Sequence, residues 1–178
     1  MRTGASFSRR RFLSTTAALA APYLLPSGVL AGADRAGAND RINLAWIGVG
    51  RRAHQMHGDL ASAPSMPGEA RVVAVSDVYL EKCRLYIEAY REKVLKAEGG
   101  PIAVYQDYRE LLDRGDIDAV IVPTPEHWRA LACIHACQAG KDVYAEKPLS
   151  LTVREGRAMV QAARRYKRVF QVGTQQRS

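Results

Sequence analysis

The chain has 178 residues, enough for one domain with a proper core and too few for two ordinary ones. With 47% hydrophobic and 25% charged residues, it has the make-up of a soluble globular protein. The net charge of +8 does not mark a nucleic-acid binder: Arg2, Arg9, Arg10 and Arg11 fall in the first 33 residues, which hold no acid, and the other charges mix signs along helical stretches with no basic stripe of interleaved aromatics.

Ser8-Arg9-Arg10-Arg11-Phe12-Leu13 is a twin-arginine pattern ahead of an apolar, alanine-rich run from Thr15 to Leu30. Small residues at Val29-Leu30-Ala31 and Ala31-Gly32-Ala33 supply two cleavage sites, so residues 1–33 are expected to be a twin-arginine signal peptide. A membrane anchor is disfavoured, because the run falls short of the ~20 residues that span a bilayer and contains Pro22 and Pro26. The expected partner of this segment is the twin-arginine export machinery, and the expected destination is the periplasm or beyond. Residues 34–41 read as a flexible lead-in. Cys83, Cys133 and Cys137 are an odd number, which implies no complete disulfide framework.

The folded part opens at Ile42 with a short apolar run that ends in Gly48-x-Gly50-x-x-Ala53. That is the strand–turn–helix entry of a dinucleotide-binding fold. Gly48 permits the tight turn, Gly50 removes a Cβ from the path of a pyrophosphate, and Ala53 lets the helix pack closely on the strand. The helix, Arg52 to Ala63, offers its free N–H groups and positive dipole end to phosphates. Ala63 to Gly68 is a loop rich in turn formers.

Arg71 to Ser76 reads as a buried strand ending in Asp77. An acid there accepts hydrogen bonds from the adenosine ribose and repels a 2′-phosphate, which favours NAD over NADP. Asp77 also suits the N-cap of the next helix, and the two roles are compatible. That helix, Val78 to Ala97, shows Leu80, Cys83, Ile87, Tyr90 and Val94 at helical spacing and ends at Gly99-Gly100. Ile102 to Tyr105 is a third strand, and Asp107 caps a short helix through Leu112.

Asp118 to Val122 is a fourth strand running into Pro123-Thr124-Pro125-Glu126-His127-Trp128. Pro125 suits a first helical turn with Thr124 as its cap. This helix continues to Ala139, with Ala130, Cys133, Ile134 and Cys137 on one face. Cys133 and Cys137 beside His135 lack a zinc-site spacing and read as core, so no metal site is expected. Asp142 to Ala145 is the fifth strand, followed by Glu146-Lys147-Pro148. Ser150 or Thr152 then opens a helix, with Glu155 at capping-box distance from Thr152 and Gly156, Met159, Val160 and Ala163 on its inner face. Val169 to Val172 is the sixth strand, and Gly173 to Ser178 ends the chain.

Strands alternating with helices predict an α/β fold, a Rossmann-type doubly wound parallel sheet of about six strands. The glycine turn, Asp77, Thr124-Pro125, Glu146-Lys147-Pro148 and Gln175 all fall at carboxyl ends of strands, where such sheets bind ligands. Lys147 is the one lysine placed to exchange a proton with a substrate hydroxyl or carbonyl beside a nicotinamide; a salt-bridged loop lysine is the alternative.

The layout from Ile42 to Ser178 resembles the N-terminal half of the Gfo/Idh/MocA oxidoreductases, most specifically in Glu146-Lys147-Pro148. Thr124-Pro125-Glu126-His127-Trp128 and Val172-Gly173-Thr174-Gln175-Gln176-Arg177-Ser178 are similar to an exported bacterial branch. The resemblance implies that Lys147 is the catalytic acid/base and that Glu146 and Pro148 shape the cofactor site. The cofactor-binding set expected on both grounds is Gly48, Gly50, Arg52, Ala53, Asp77, Thr124, Pro125, His127, Glu146, Lys147 and Gln175.

That branch carries a second histidine two places after His127, where Arg129 stands here. Relatives also have a C-terminal antiparallel-sheet domain with most substrate contacts and the oligomer surface, and the resemblance implies that this half is missing here. The resemblance therefore implies residues 42–178 as the NAD-binding domain of a sugar or polyol oxidoreductase, a truncated fragment inactive alone and a homo-oligomer when full-length. An NAD-dependent glycoside hydrolase and a non-catalytic nucleotide-binding remnant are the alternatives.

Overall fold

A computed structural model describes residues 41–61, 69–93 and 101–175. The signal-like segment, the lead-in through Asp40, the Ala63–Gly68 loop, Val94, Gly99-Gly100 and Gln176 to Ser178 lie outside these residues.

The elements run β1 (Ile42–Ile47), α1 (Arg51–Ala61), β2 (Ala70–Ser76), α2 (Leu80–Lys93), β3 (Ala103–Tyr105), α3 (Tyr108–Leu112), β4 (Ala119–Val122), α4 (Glu126–Gln138), β5 (Asp142–Glu146), α5 (Val153–Arg165) and β6 (Phe170–Gly173). The six strands form one parallel sheet in the order β3-β2-β1-β4-β5-β6. This is the Rossmann order, in which the winding direction reverses between β1 and β4 and opens a crevice at their carboxyl ends.

Alternation along β1 sorts its side chains to two faces. Ala45 and Ile47 join Val73, Val120, Val122, Cys133, Cys137 and Met159 in one core layer. Trp46 joins Val49, Ala53, Val75, Cys83, Tyr86 and Tyr90 in the other. Trp46 and Tyr86 are both fully buried, with ring centroids 5.6 Å apart. At the amino ends of the strands, polar ties fix register: Asn43 N donates to Asp118 Oδ2 at 2.7 Å, and Arg71 Nε donates to Asn43 Oδ1 at 2.7 Å. The buried Lys141 donates through Nζ to the Arg114 carbonyl at 2.6 Å.

Three local expectations are corrected. Pro125, in extended conformation, is itself the N-cap of α4, with no side-chain cap; Thr124 does not cap this helix. On α5 the buried residues are Met159 and Ala162, whereas Val160 is exposed. Position 160 lies about 100° around the helix from Met159 and so turns away from the sheet. On α2 Cys83 and Tyr90 are buried and Ile87 packs against the core as expected, Tyr86 joins them, and Leu80, the first helical residue, is exposed. The Thr152–Glu155 capping box forms as expected, and all three cysteines are free and buried.

Candidate cofactor site at the carboxyl ends of the strands

The turn after β1 is built by one strained and one open glycine. Gly48 has φ +92°, and a Cβ there would stand 2.8 Å from Thr124 Cγ2. Its N–H donates to Ser76 O at 2.7 Å, tying the turn to β2. Gly50 has nothing within 4 Å of where a Cβ would lie, so the protein's own packing does not require a glycine there. The vacancy beside it faces the start of α1, whose first turn holds Arg51 and Arg52 and no acid. Cations at the positive end of a helix dipole are unfavourable, and an anion bound there reverses the sign. Ala53 is fully buried, as close helix–strand packing demands.

Asp77 closes the β2 side of the turn. Its Oδ2 accepts from Val49 N at 3.0 Å and its Oδ1 from Tyr79 N at 3.0 Å. The carboxylate thus braces the glycine turn and forms its own turn ahead of α2, which starts only at Leu80.

On the other side of β1, Glu146 is 2% exposed and its two oxygens divide their work. Oε1 accepts from Arg52 Nη2 at 2.7 Å, and Oε2 accepts from Lys147 N at 3.0 Å. Their hydrogen bond raises the Arg52 pKa above the ordinary arginine value. Lys147 itself is exposed, and the Lys147–Pro148 peptide bond is cis. Thr124 Oγ1 is buried with no hydrogen-bond partner. Arg129, buried at 3% exposure, donates from Nη1 to the Pro148 carbonyl and from Nη2 to the Thr124 carbonyl. Burial lowers its pKa below the ordinary arginine value.

Gly48 and Thr124 form one contact pair and Arg52, Glu146 and Lys147 another group, the two are linked through Arg129 and Pro148, and Asp77 reaches the glycine turn through Val49. His127 and Gln175 are less engaged. His127 is exposed in the first turn of α4, its ring 6.4 Å from that of the exposed Trp128, and Gln175 is exposed at φ +56°. Arg129 was visible only as a departure from a resembling branch, not as a bridge. Its spacing held the signal, since Arg129, Cys133 and Cys137 form one i, i+4, i+8 stripe, and a cation on a buried stripe must find polar partners.

These residues fit a dinucleotide. The open space at Gly50, the acid-free helix start and the orphaned Thr124 hydroxyl are all features that a phosphate- and ribose-bearing ligand would satisfy. Among the described residues, no group of three or more His, Cys, Asp or Glu gathers as a metal site, and no helix is long and apolar enough to cross a membrane.

Comparison with known proteins agrees with this geometry. Residues 42–174 match the Gfo/Idh/MocA family, an oxidoreductase family with an NAD-binding Rossmann fold. The chain is similar to an alpha-N-acetylgalactosaminidase of Shewanella oneidensis, at 30% identity over 128 residues covering 70% of this chain and 26% of that protein. It is also similar to levoglucosan dehydrogenase in complex with NADH, with a TM-score of 0.59 and 28% identity over 75% of this chain and 34% of the other. A 3-ketoreductase from Actinomadura kijaniata in complex with TDP-benzene and NADP gives a TM-score of 0.60 at 26% identity, covering 75% and 38%. The chain spans about a quarter of the length of the curated relatives it matches.

Proposed function

The chain belongs to the Gfo/Idh/MocA oxidoreductase family, and from that premise we propose that it holds NAD for hydride exchange with a hydroxyl of a sugar or polyol. The observation that carries this reading is the placement of Lys147 directly after the buried Glu146, which is paired to Arg52 of the glycine-turn helix. NAD, when bound, supplies a hydride acceptor and donor at its nicotinamide ring.

The chain's own residues hold and orient that cofactor and move the proton. The backbone at Gly48 to Gly50 and the opening of α1 hold the pyrophosphate. The Asp77 carboxylate accepts from ribose hydroxyls and disfavours a 2′-phosphate, which supports NAD over NADP. The Thr124 hydroxyl and Pro125 border the nicotinamide ribose. Lys147 Nζ takes the proton from the substrate hydroxyl as it is oxidised, and returns it in the reverse direction. Glu146 fixes the Lys147 backbone, so the lysine side chain leaves the sheet at a defined point, and it accepts the proton as the free amine. The pattern around Arg9 and Arg10 supports export of the folded, cofactor-loaded protein by the twin-arginine route.

A second reading is favoured by the relative named as an alpha-N-acetylgalactosaminidase. In it the same lysine and cofactor act in glycoside cleavage, with no net change in the redox state of NAD. Titration of the protein with NADH and NADPH, followed by nicotinamide fluorescence, tests the shared part. Saturable binding with preference for NADH is expected, and absence of binding overturns both readings. In a longer protein that includes a C-terminal substrate domain, net NADH formation from free NAD with a polyol then supports the dehydrogenase, whereas cleavage of an N-acetylgalactosaminide without net NADH supports the hydrolase.

A further inference from the structure

The side chain of Arg129 spans the carboxyl ends of two neighbouring strands. Its two terminal nitrogens donate to the carbonyls of Thr124, five residues before it, and Pro148, nineteen residues after it. Thr124 follows β4 and Pro148 follows β5, beyond the ladder hydrogen bonds that pair the strands as far as Val122 and Ala145. Carbonyls just past a strand end need another donor when water is excluded. Two separate side chains could serve them. One planar guanidinium serving both fixes the distance between them, because its donors sit in a rigid fork.

The choice of a cation here is not explained by packing. Arg129 shares its helix face with Ala130, Cys133 and Cys137 in the core, where an apolar side chain would avoid the desolvation of a charge. Among the described residues it has no carboxylate partner within ion-pair distance, and its Nε is buried without a hydrogen bond. Among the described residues its hydrogen bonds go to the two loop carbonyls, while Glu126 and Glu146 act on its charge from beyond ion-pair distance. The two hydrogen bonds complete a closed circuit of contacts around the crevice. Gly48 packs on Thr124, Thr124 is tied through Arg129 to Pro148, Lys147 is tied to Glu146, and Glu146 to Arg52 of the helix that the glycine turn begins. Removing Arg129 opens that circuit between the loop after β4 and the turn after β5.

We propose that Arg129 is a positioning residue: it clamps the Thr124 loop to the Lys147–Pro148 turn, so that the nicotinamide end of the site is assembled before the cofactor arrives. This rests on the reading of Thr124 and Lys147 as nicotinamide-side residues. Preorganisation of this kind strengthens binding by removing the ordering cost of the loops. The adenosine end, braced by Asp77 and Val49, does not depend on the clamp.

The test compares NADH with ADP-ribose, which lacks the nicotinamide, on the wild-type protein, Arg129→Ala and Arg129→Lys. For Arg129→Ala, ADP-ribose affinity should stay within about twofold while NADH affinity falls about tenfold, the loss expected from charged hydrogen bonds. Arg129→Lys reaches one carbonyl at a time and should fall between the two; it also serves if the alanine variant does not fold. A merely structural role for Arg129 would weaken both ligands alike, and that result overturns the proposal, as does no change in either.

Amide hydrogen exchange in the ligand-free protein gives a second, independent readout. Thr124 on one side, and Lys147, Leu149 and Ser150 on the other, should lose protection together in the variants. Loss confined to α4, or to one loop, refutes the clamp. A wild-type protein that binds no NADH overturns the cofactor reading instead, and the exchange result then decides the clamp by itself.

Discussion

Gly48 and Thr124 face each other across the point where the sheet reverses its winding, so closely that a Cβ on Gly48 would stand 2.8 Å from Thr124 Cγ2. The contact comes with φ +92° at Gly48, a conformation that L side chains rarely adopt. Gly48→Ala therefore meets two obstacles, and its expected cost is about 1–3 kcal/mol of stability in urea denaturation. Adding Thr124→Ser removes the clashing methyl but leaves the backbone strain, so the double variant should recover only part of the loss. Full recovery would show that the clash alone made Gly48 necessary.

Gly50 poses the opposite case. Open space surrounds its missing Cβ, so Gly50→Val should fold with a stability change within about 0.5 kcal/mol, the range of surface substitutions. NADH titration of the same protein should show binding abolished. Normal binding by Gly50→Val would remove the glycine turn from the cofactor assignment.

Arg52 and Glu146 make a pair of which the acid is almost wholly buried. Arg52→Leu strands that carboxylate with only the Lys147 N–H, and the expected loss is about 3 kcal/mol, the low end for a broken buried pair because Arg52 is partly exposed. Replacing Glu146 by leucine as well should return much of that stability. Near-additive losses in chemical denaturation would mean that the two side chains are not coupled.

The buried thiols set the alkaline limit. Burial pushes the Cys133 thiol up to about 12 and, with Asp77 nearby, the Cys83 thiol up to about 11, from an ordinary value of 9.0. The unfolded chain therefore releases these protons first as pH rises past 9. Stability is complete below that value and falls as pH climbs towards 11, by at most about 1.4 kcal/mol per pH unit for each thiol. Replacing the cysteines with alanine should flatten unfolding free energy between pH 9 and 10. Above pH 10 a slope should persist, since burial also raises the Tyr86 hydroxyl. An unchanged slope below pH 10 would exclude the thiols as its source.

Features that depend on near neighbours were legible in the sequence. The glycine turn, the acid after β2, the capping box at Thr152 and the six strands with their helices all follow from spacings of a few residues, which backbone sterics and burial periodicity dictate. What depends on partners distant in the chain was not. The Arg52–Glu146 pair joins residues 94 positions apart, and the Thr124 hydroxyl lost its capping role because Pro125 stays extended and becomes the cap itself. On α5 the sequence alone does not separate Val160, which is exposed, from Ala162, which is buried, because small and branched apolar residues occur on both sides of the stripe. Only packing against the sheet chooses between them.

Trp46 is sealed beneath the glycine turn, whereas Trp128 stands in solvent at the opening of α4. As the chain's only two tryptophans, they split its intrinsic emission into two channels. A collisional quencher such as acrylamide reaches the indole at the carboxyl end of β4 and spares the one in the core until the sheet itself comes apart. The native molecule thus carries one optical reporter of the rim at the carboxyl ends of its strands and another of its global integrity, with no label added.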